Sequence, residues 1–410
     1  MNSEERIDKL QRIIDTQTPE YQEKVQWRNE MKLMGVFEIP LDHLIYNKYN
    51  GRILSRTKSL ETQGHEVDPE TPDGKALIEK LLWDSKADRN KKTMEDLQRY
   101  GQKRVGIVTK DGVIVDGNRR AMLLSKVGHT HFKAVILDVR MIDDPKEIER
   151  LETMYQMGED EKVDYNPIEK YLKVDTMHEK GFSEKEIAEC MGISVGEVSD
   201  RLAVYKTMVD YLAYLGYEGM FTQLDGREDP FINLTKWIKK YRGGESNSGF
   251  DNYDEGDVDD LQTIAFDYIR YKWEGKDFRK IAEGQKGSHF FGNKEIWTTF
   301  RDAHIEKVDP INQSEEEIDL TSHDLSATLE ARDNAWQKKV EGPLKENWNK
   351  RSVDLDSIKD SSRPVDLLDR ALSALSRVDA DNEHFEGDDV LEKVKQINHI
   401  SYELKKALGG

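Results

Sequence analysis

The sequence KDGVIVDGNRRAMLL, residues 110–124, combines two turn signals with the start of a helix. Asp111-Gly112 is a two-residue hairpin signal, because aspartate followed by glycine readily forms the tight turns that join antiparallel strands. The apolar runs immediately before and after it have the length and composition of short strands. Asp116-Gly117 then ends the second strand, and the pattern from Arg119 to Lys126 predicts a helix with apolar residues available for burial.

The same stretch brings backbone N–H groups, the positive end of a helix dipole and two arginines, Arg119 and Arg120, to one place. This combination suits a bound phosphate, because N–H and guanidinium groups both donate hydrogen bonds to anionic oxygens. An ordinary strand–turn–helix connection with two solvated arginines fits the spacing equally well, since short glycine motifs often occur by chance. The residues of this stretch alone leave both interpretations open.

Residues 116–120, DGNRR, resemble the Gly-Glu-Arg-Arg motif of the ParB family of chromosome and plasmid partition proteins. The resemblance continues in both directions along the chain, in the family's order. It extends to the opening strand, the arginine-bearing loop, the helix before the hairpin and the segment that leads into a helix-turn-helix, at residues 39–45, 47–52, 94–102 and 164–169. Together these matches cover roughly residues 37–206.

The resemblance implies a small ParB/sulfiredoxin-like α/β domain that binds CTP, followed by a helical DNA-binding region. The phosphate contacts that it implies are Gly117, Asn118, Arg119 and Arg120, with Arg52 nearby and Lys162 where the family has an arginine. Two positions depart from the family pattern. Asn118 replaces a glutamate, and Lys162 supplies a point charge but not a bidentate fork. The resemblance favours CTP as the nucleotide. Because of these two departures, ATP in place of CTP, a magnesium ion and nucleotide hydrolysis stay open.

The composition is that of an acidic, strongly charged chain of 410 residues, long enough for two or three domains. The formal net charge of -19 argues against a protein that coats DNA nonspecifically, because phosphate binding needs lysine and arginine. No apolar run is long enough to cross a bilayer, and the N-terminus lacks signal-peptide character. A single cysteine, Cys190, excludes an internal disulfide. We therefore expect a cytoplasmic, nucleoid-associated protein with no membrane partner.

Around the central motif, the sequence predicts mainly helices with one further strand. Residues 3–34 are predicted to form a helical arm, and residues 75–83 a short amphipathic helix. Residues 132–140 form the next predicted strand, and a helix is expected from Pro145 to Met157.

Residues 167–206 have the pattern of a helix-turn-helix. Pro167 opens the first helix, Ser183 begins a capping box at the second, and Ser194 caps the third. The residues expected to read DNA lie at the start of the third helix and are Ser194, Val195, Glu197, Ser199 and Arg201. From residue 168 to residue 206 there are six cations and eight anions, which is a poor balance for a surface that lies on phosphates. A trihelical unit used for packing or protein contacts is therefore the alternative.

The second half of the chain is predicted to be helical. Within residues 207–310 an acidic stretch, residues 251–260, is interpreted as a solvated loop, because its spacing does not fit a calcium-binding loop. His289 and His304 have no metal-ligand spacing, so no metal site is predicted.

Three helices are expected after residue 320: one to Trp348, one over Pro364–Val378 and one over Asp389–Leu408. The second has a strong apolar face formed by Val365, Leu367, Leu368, Ala371, Leu372 and Leu375. Such a face suits a homo-dimer or a partner protein, and packing within the chain explains it equally well.

These patterns predict an α+β fold: a small α/β domain, then a helix-turn-helix and a mostly helical C-terminal half. The expected parts are an N-terminal arm (1–36), a nucleotide-binding domain (37–160), a helix-turn-helix region (161–240), a helical domain with an acidic loop (241–319) and a C-terminal helical region (320–410). The leading functional hypothesis is a ParB-like clamp or switch that binds nucleotide and DNA in a bacterial, plasmid or phage system. The alternatives are an enzyme on the same domain (a nucleotide hydrolase, kinase or nuclease of a mobile-element or antiviral system) and a nonenzymatic assembly protein.

Overall fold

The computed structural model describes residues 1–157, 166–244, 246–320, 325–379, 382, 385 and 387–408. The fold is α+β, as the sequence predicts, with one six-stranded mixed sheet in the N-terminal part and helices elsewhere in the described residues. The chain divides into two compact units, Met1–Glu346 and Asn347–Gly410. Among the described helices, none combines the length and apolar character needed to cross a membrane.

The sheet holds the central motif at two of its strands. Its strands are β1 Gln22–Trp27, β2 Glu30–Pro40, β3 Ile45–Tyr46, β4 Gly106–Val108, β5 Val113–Asp116 and β6 His131–Ile136. Their spatial order is β1-β2-β6-β4-β5-β3. The β4–β6 and β3–β5 pairs are parallel, and the other pairs are antiparallel. Apolar side chains fill both faces, since Ile114 and its neighbour Val115 belong to two different buried clusters.

Helices form most of the remaining described chain. The first eight are α1 Ser3–Thr16, α2 Leu54–Thr62, α3 Pro72–Asp84, α4 Ala87–Tyr100, α5 Asn118–Lys126, α6 Pro145–Met157, α7 Pro167–Glu179 and α8 Glu184–Met191. They are followed by α9 Val195–Leu215, α10 Glu228–Tyr241, α11 Glu255–Arg270, α12 Gly275–Arg279, α13 Lys294–Lys307, α14 Asp309–Gln313, α15 Leu325–Leu375 and α16 Asp388–Ala407. The helices predicted at residues 119–126, 75–83 and 145–157 are thus present as α5, α3 and α6. The strand predicted at residues 132–140 is β6, which ends earlier, at Ile136.

The hairpin predicted at Asp111-Gly112 is present between β4 and β5, but its loop has three residues rather than two. The Gly112 N–H donates to the Thr109 carbonyl at 2.9 Å, and the Thr109 N–H donates to the Val113 carbonyl at 2.9 Å. Gly112 has a φ of +83°, the left-handed conformation that closes such three-residue loops.

The ring of Phe132 explains why glycine occupies two positions next to the hairpin. A Cβ atom at Gly106 would lie 2.2 Å from this ring, and one at Gly117 would lie 2.7 Å from it. Gly117 also has a φ of +101°, which L side chains rarely adopt. The ring therefore packs directly on bare backbone at both ends of the hairpin.

The prediction of a helical arm over residues 3–34 is wrong beyond Thr16. The chain there forms the β1–β2 hairpin, whose turn residues Arg28 and Asn29 have φ values of +52° and +61°. Two successive positive φ values are typical of the tight turn that suits a twisted hairpin. Because this turn lacks the glycine that usually marks it, the sequence gives little sign of the hairpin.

The helix-turn-helix predicted over residues 167–206 is present as α7, α8 and α9. Capping boxes join Ser183 to Glu186 and Ser194 to Glu197, and Gly192 ends α8 with a φ of +61°. Cys190 lies in the buried core of this unit, as expected for a small hydrophobic residue. Burial raises the pKa of its thiol to about 11, so the reactive thiolate is disfavoured.

The interpretation of residues 251–260 as a solvated loop is wrong from Asp254 onward. Asp254 caps α11 and accepts a hydrogen bond from the Asp257 N–H at 3.0 Å, while Asp257 accepts one from the Asp254 N–H. The acidic residues gather here because the unpaired N–H groups and positive dipole end of a helix N-terminus favour negative charge.

The prediction of three helices after residue 320 is also wrong, because the described residues form two, α15 and α16. Pro364 was expected to start a helix, yet α15 continues through it to Leu375. The helix also runs through Gly342 and Pro343, so it accommodates two prolines, each at the cost of a hydrogen bond. After Gly342, the sequence has no glycine before Gly387 to end the helix.

The packing of Phe132 on Gly117 makes a testable prediction about stability. We expect Gly117→Ala to lower the free energy of unfolding by about 2–4 kcal/mol, because it combines left-handed strain with a clash against the ring. Gly128 has a similar φ of +83° but no atom within 4 Å of an added Cβ, so Gly128→Ala should cost only about 1–2 kcal/mol. Urea-induced unfolding followed by circular dichroism measures both, and equal losses would contradict the packing argument.

Candidate functional site

The motif at residues 116–120 folds into a strand, a glycine turn and the first turn of a helix. β5 ends at Asp116, Gly117 forms the turn, and α5 begins with Asn118, Arg119 and Arg120. The helix N-terminus and both guanidinium-bearing residues are thus neighbours, which is the arrangement that the phosphate interpretation requires.

Asn118 is built into the interior of this turn. Its side chain is buried, its Oδ1 accepts a hydrogen bond from the Asn47 N–H at 2.9 Å, and its Nδ2 donates to the Ile114 carbonyl at 2.9 Å. The residue that replaces the family's glutamate therefore connects the motif to the loop at residues 47–53. Arg52, the arginine that the resemblance points to, lies on this loop.

The C-terminal end of α6 joins the same two segments. The Gln156 side chain donates to the Val115 carbonyl at 3.2 Å, and the Asn50 side chain donates to Glu152 at 3.4 Å. The arginine-bearing loop, the motif turn and the end of α6 therefore converge, although they are distant in sequence. Lys162, predicted on the segment that follows α6, lies outside the described residues.

A cleft of about 340 Å³ opens beside Arg120. Four cationic residues line it, namely Lys24, Lys103, Arg104 and Arg120, together with the acidic residues Glu23 and Asp116. Arg120 also donates from Nη1 to the carbonyls of Arg104 at 3.0 Å and Val105 at 3.2 Å, which fixes its guanidinium group at the start of β4. Arg52 and Arg119 are not among the residues that line this cleft.

A buried ionic cluster connects α6 to the helix-turn-helix. The Lys173 ammonium group on α7 contacts Glu149 and lies 3.1 Å from Glu152, and Lys180 contacts the other oxygen of Glu149. Lys173 and Glu152 are each at most 2% exposed. The lysine and the carboxylates stabilise one another, because an unpaired charge buried at this depth would greatly destabilise the fold.

The pKa values of the two carboxyl groups in this cluster are shifted in opposite directions. Burial opposes the charge of Glu149, but Lys173 and Lys180 outweigh it and lower the pKa of Glu149 below its ordinary value. Burial raises the pKa of Glu152, opposed by Lys173 and reinforced by the neighbouring charge of Glu149. Hydrogen bonds from Asn50 and Gln156 to Glu152 extend this cluster to the motif.

Glu169 makes a second connection, between α2 and α7. Its carboxylate accepts hydrogen bonds from the Ser55 N–H at 2.9 Å and the Ser55 hydroxyl at 2.5 Å, and Arg56 lies 3.5 Å away. Burial raises the pKa of Glu169 to about 7, although the Ser55 hydrogen bonds and Arg56 act in the opposite direction. Since α2 follows the loop at residues 47–53, this carboxylate is also a link between the motif region and the helix-turn-helix.

The predicted DNA-reading residues lie at the exposed N-terminal end of α9. Ser194, Val195, Glu197 and Ser199 are exposed, and Arg201 is half-buried. The Glu197 carboxylate accepts hydrogen bonds from the Ser194 N–H and hydroxyl, both at 2.9 Å. This carboxylate therefore caps the helix, which the sequence analysis did not anticipate for a residue expected to read bases.

The structure places His304 next to acidic residues that sequence spacing did not indicate. Its Nε2 lies 2.9 Å from Asp267, and the two residues with Asp309 hold potential ligand atoms within 4.8 Å of one another. Asp267 also accepts hydrogen bonds from Tyr214 at 3.1 Å and Asn312 at 2.9 Å. We interpret this group as a buried hydrogen-bond network of the helical core, because Asp267 is satisfied by protein donors.

Sequence reasoning missed most of the cleft. Lys24 was assigned to a helix, although it lies on β1, and Lys103 and Arg104 precede β4 without any motif of their own. It also missed the ionic cluster, since Glu149 and Lys173 are separated by 24 positions and each resembles an ordinary surface residue of a helix. The only available sign was a charged residue on an otherwise apolar helical face.

Comparison with known proteins gives a structural likeness but no match in sequence. No protein-family model matches the sequence, and no curated protein matches it. Among solved structures, a Pnob8-like ParB-N domain aligns with a TM-score of 0.37 and 10% sequence identity, over 66% of this chain and 97% of that chain. A likeness at this level carries no argument about function, so the site rests on its own geometry.

The ionic cluster makes a prediction about pH and stability. Lys173→Met leaves Glu149 and Glu152 buried without their cation, so we expect it to lower the free energy of unfolding by about 3–5 kcal/mol near neutral pH. Without Lys173 both carboxyl groups should have raised pKa values, and stability should then increase as the pH falls and they become protonated. In the wild-type protein, ionised Glu149 keeps its full stabilising effect down to about pH 4.5, and this effect is lost as the pH falls further towards its lowered pKa of about 2.

Denaturant unfolding of both proteins between about pH 2 and pH 8 measures the difference in stability between them, in which the contribution of Glu169, common to both, cancels. Lys180→Met is the matched control: its partly exposed ammonium group contacts Glu149 alone, so its loss should be smaller. A Lys173→Met variant as stable as wild type at every pH would contradict the role given to the cluster.

Proposed function

We propose that this chain is a ParB-like protein that binds a nucleoside triphosphate, CTP or ATP, and engages DNA through α7, α8 and α9. The observation that carries the proposal is the cationic cleft beside the motif at residues 116–120, joined by buried hydrogen bonds and ion pairs to α7. The α+β fold and the order of the sequence motifs are consistent with it.

The charge and size of the cleft suit a nucleotide. Its volume of about 340 Å³ falls within the range of small-molecule sites. Four cations against two carboxylates leave a positive balance for a polyphosphate, in a chain whose total charge is strongly negative. Asp116 and Glu23 would supply oxygen atoms to a magnesium ion that accompanies the phosphates.

The proposal concerns binding and switching rather than hydrolysis. The position at which the family has a glutamate is occupied by Asn118, and its buried side chain is used to hold the loop at residues 47–53. Nucleotide at the cleft would stabilise one arrangement of that loop and of α6. Through the hydrogen bonds and ion pairs of Glu152 and Glu169, it would then also stabilise one position of α7.

Self-association through the C-terminal unit is part of the same proposal. In this unit the apolar residues Val365, Leu368, Leu372 and Leu375 of α15 are exposed and follow one another at spacings of three and four. On α16 the exposed residues Val394, Ile397, Ile400 and Leu404 have the same spacings. Such stripes are typical of helices that pair with a second copy, because exposing a continuous apolar surface to water is unfavourable.

The nucleotide site predicts a specific loss of affinity. Arg119→Ala combined with Arg120→Ala should weaken CTP or ATP binding by at least about tenfold, because charge-assisted hydrogen bonds from Arg120 to phosphate are lost. Arg119 is replaced with it as the second arginine of the motif, although it does not line the cleft. Calorimetric titration with CTP, ATP and GTP also identifies the preferred base. Arg99→Ala, an exposed arginine at the end of α4 that does not line the cleft, should leave the affinity unchanged.

Because Arg120 also holds two backbone carbonyls, a second variant separates binding from folding. Lys24→Gln combined with Lys103→Gln removes two cleft charges, and it should weaken nucleotide binding while the thermal unfolding midpoint stays near that of wild type. Unchanged nucleotide affinity in both double variants would refute the site.

Self-association is tested by the mass of the full chain in solution. Light scattering should give twice the monomer mass of 47.5 kDa for wild type. Leu368→Glu combined with Leu372→Glu should give the monomer mass, because a dimer interface would bury the new carboxylates without partners. Ser373→Glu, on the neighbouring polar side of α15, is the control that should remain dimeric, and a monomeric wild type would refute this part of the proposal.

A further inference from the structure

We infer that Lys236 and Lys239, at the C-terminal end of α10, bind DNA backbone phosphates beside the start of α9. The inference rests on the proposed DNA-binding function and identifies further cations beside the start of α9, where Arg201 is the one cation among the predicted DNA-reading residues. It assigns phosphate contact to a helix outside the motif predicted from sequence.

The geometry of α9 and α10 brings these lysines to the correct end. The Thr235 hydroxyl on α10 donates to the Thr207 hydroxyl on α9 at 2.9 Å, and the Lys239 ammonium group lies 3.2 Å from Asp200. As α10 advances from Thr235 to Lys239, its partners on α9 therefore move back from Thr207 to Asp200, so the two helices are antiparallel. The lysine-bearing end of α10 lies beside Asp200, which is about 9 Å along the helix axis from the cap residue Ser194.

The two lysines share a groove with two of the predicted DNA-reading residues, Glu197 and Arg201. A groove of about 190 Å³ between α9 and α10 is lined by Arg201, Lys236 and Lys239, and by the acidic residues Glu197 and Asp200. The Glu197 carboxylate is engaged at the helix cap. Lys236 and Lys239 therefore raise the number of cations at this groove from one, Arg201, to three, against the two carboxylates of Glu197 and Asp200, and this leaves a positive balance for a polyanion.

The ion pair between Lys239 and Asp200 is easily exchanged for a phosphate. The two side chains are 69% and 70% exposed, so water and salt screen their attraction and little stability depends on it. A backbone phosphate near the end of α9 could replace the aspartate as the partner of Lys239 without any rearrangement of the helices.

The next two cations of this helix end contact other elements. The Lys240 ammonium group donates to the Gly284 carbonyl at 3.3 Å, and the Arg242 guanidinium group lies 3.2 Å from Asp259 on α11. These residues therefore offer a control with the same loss of charge, a few positions away on the same segment.

The test measures DNA binding by the full chain as a function of salt, with a fluorescein-labelled duplex of mixed sequence and fluorescence anisotropy. Lys236→Gln combined with Lys239→Gln should weaken binding at low salt by about tenfold and reduce the slope of log K against log salt by about 1.8, or 0.9 for each lost phosphate contact. Lys240→Gln combined with Arg242→Gln should keep the wild-type slope. Asp200→Asn should strengthen binding, because it removes the anion that competes with phosphate.

The outcomes separate this inference from the proposed function. If wild type binds and the Lys236/Lys239 variant keeps its salt slope, the inference is overturned while DNA binding stands. Equal loss in the Lys236/Lys239 and Lys240/Arg242 variants would also overturn it, since total charge would then explain the effect. A wild-type protein without salt-dependent binding to the duplex would refute the proposed DNA function and the inference together.

Discussion

The ammonium group of Lys173, held between the buried carboxylates of Glu149 and Glu152, is the constraint on which the arrangement of the first unit depends. The helix that carries both carboxylates, α6, packs Ile148 and Leu151 into the core of the sheet. On its other side, Met154 packs against the core of the helix-turn-helix. Removing either the lysine or one of its carboxylates alone would leave an unpaired buried charge at a large cost in stability. The ion pairs therefore hold α6 and α7 together as one connection between these two cores.

This connection between α6 and α7 gives the proposed switch a physical basis. Asn50, on the same loop as Arg52, hydrogen-bonds to Glu152, and Ser55 hydrogen-bonds to Glu169. A change in that loop therefore reaches two buried carboxylates: Glu152, which pairs with Lys173 of α7, and Glu169, which is itself on α7. Buried polar networks of this kind have few alternative arrangements, so a small change at the cleft would favour one discrete state of the helix-turn-helix over another.

The charge distribution explains how an acidic chain could still bind two kinds of polyanion. Cations are gathered in the cleft around Arg120 and at the end of α10 around Lys239, while much of the remaining surface is acidic. A negative background disfavours nonspecific contact with nucleic acid and leaves binding to places where cations are concentrated. Specificity would then come from geometry rather than from overall charge.

The sequence predicted local structure well wherever a cap or glycine marks a boundary, as at Ser183, Ser194 and Gly117. It failed where the deciding signal is not local. The Arg28-Asn29 turn lacks glycine, so the β1–β2 hairpin and the cleft residue Lys24 were missed together. The pairing of Lys173 with Glu149 depends on how two helices meet, which no spacing within either helix reveals. The motif could therefore be found from sequence, but its surroundings could not.

Hydrogen exchange would show whether the cleft and the helix-turn-helix respond to nucleotide as one unit. Amide exchange in the full chain would be measured by mass spectrometry with and without CTP or ATP, whichever binds more tightly. The account predicts altered protection at residues 103–120 and also in α7 and the start of α9, with the second effect abolished in Lys173→Met. Altered protection confined to the sheet and its loops, with α7 to α9 unchanged at saturating nucleotide, would contradict it.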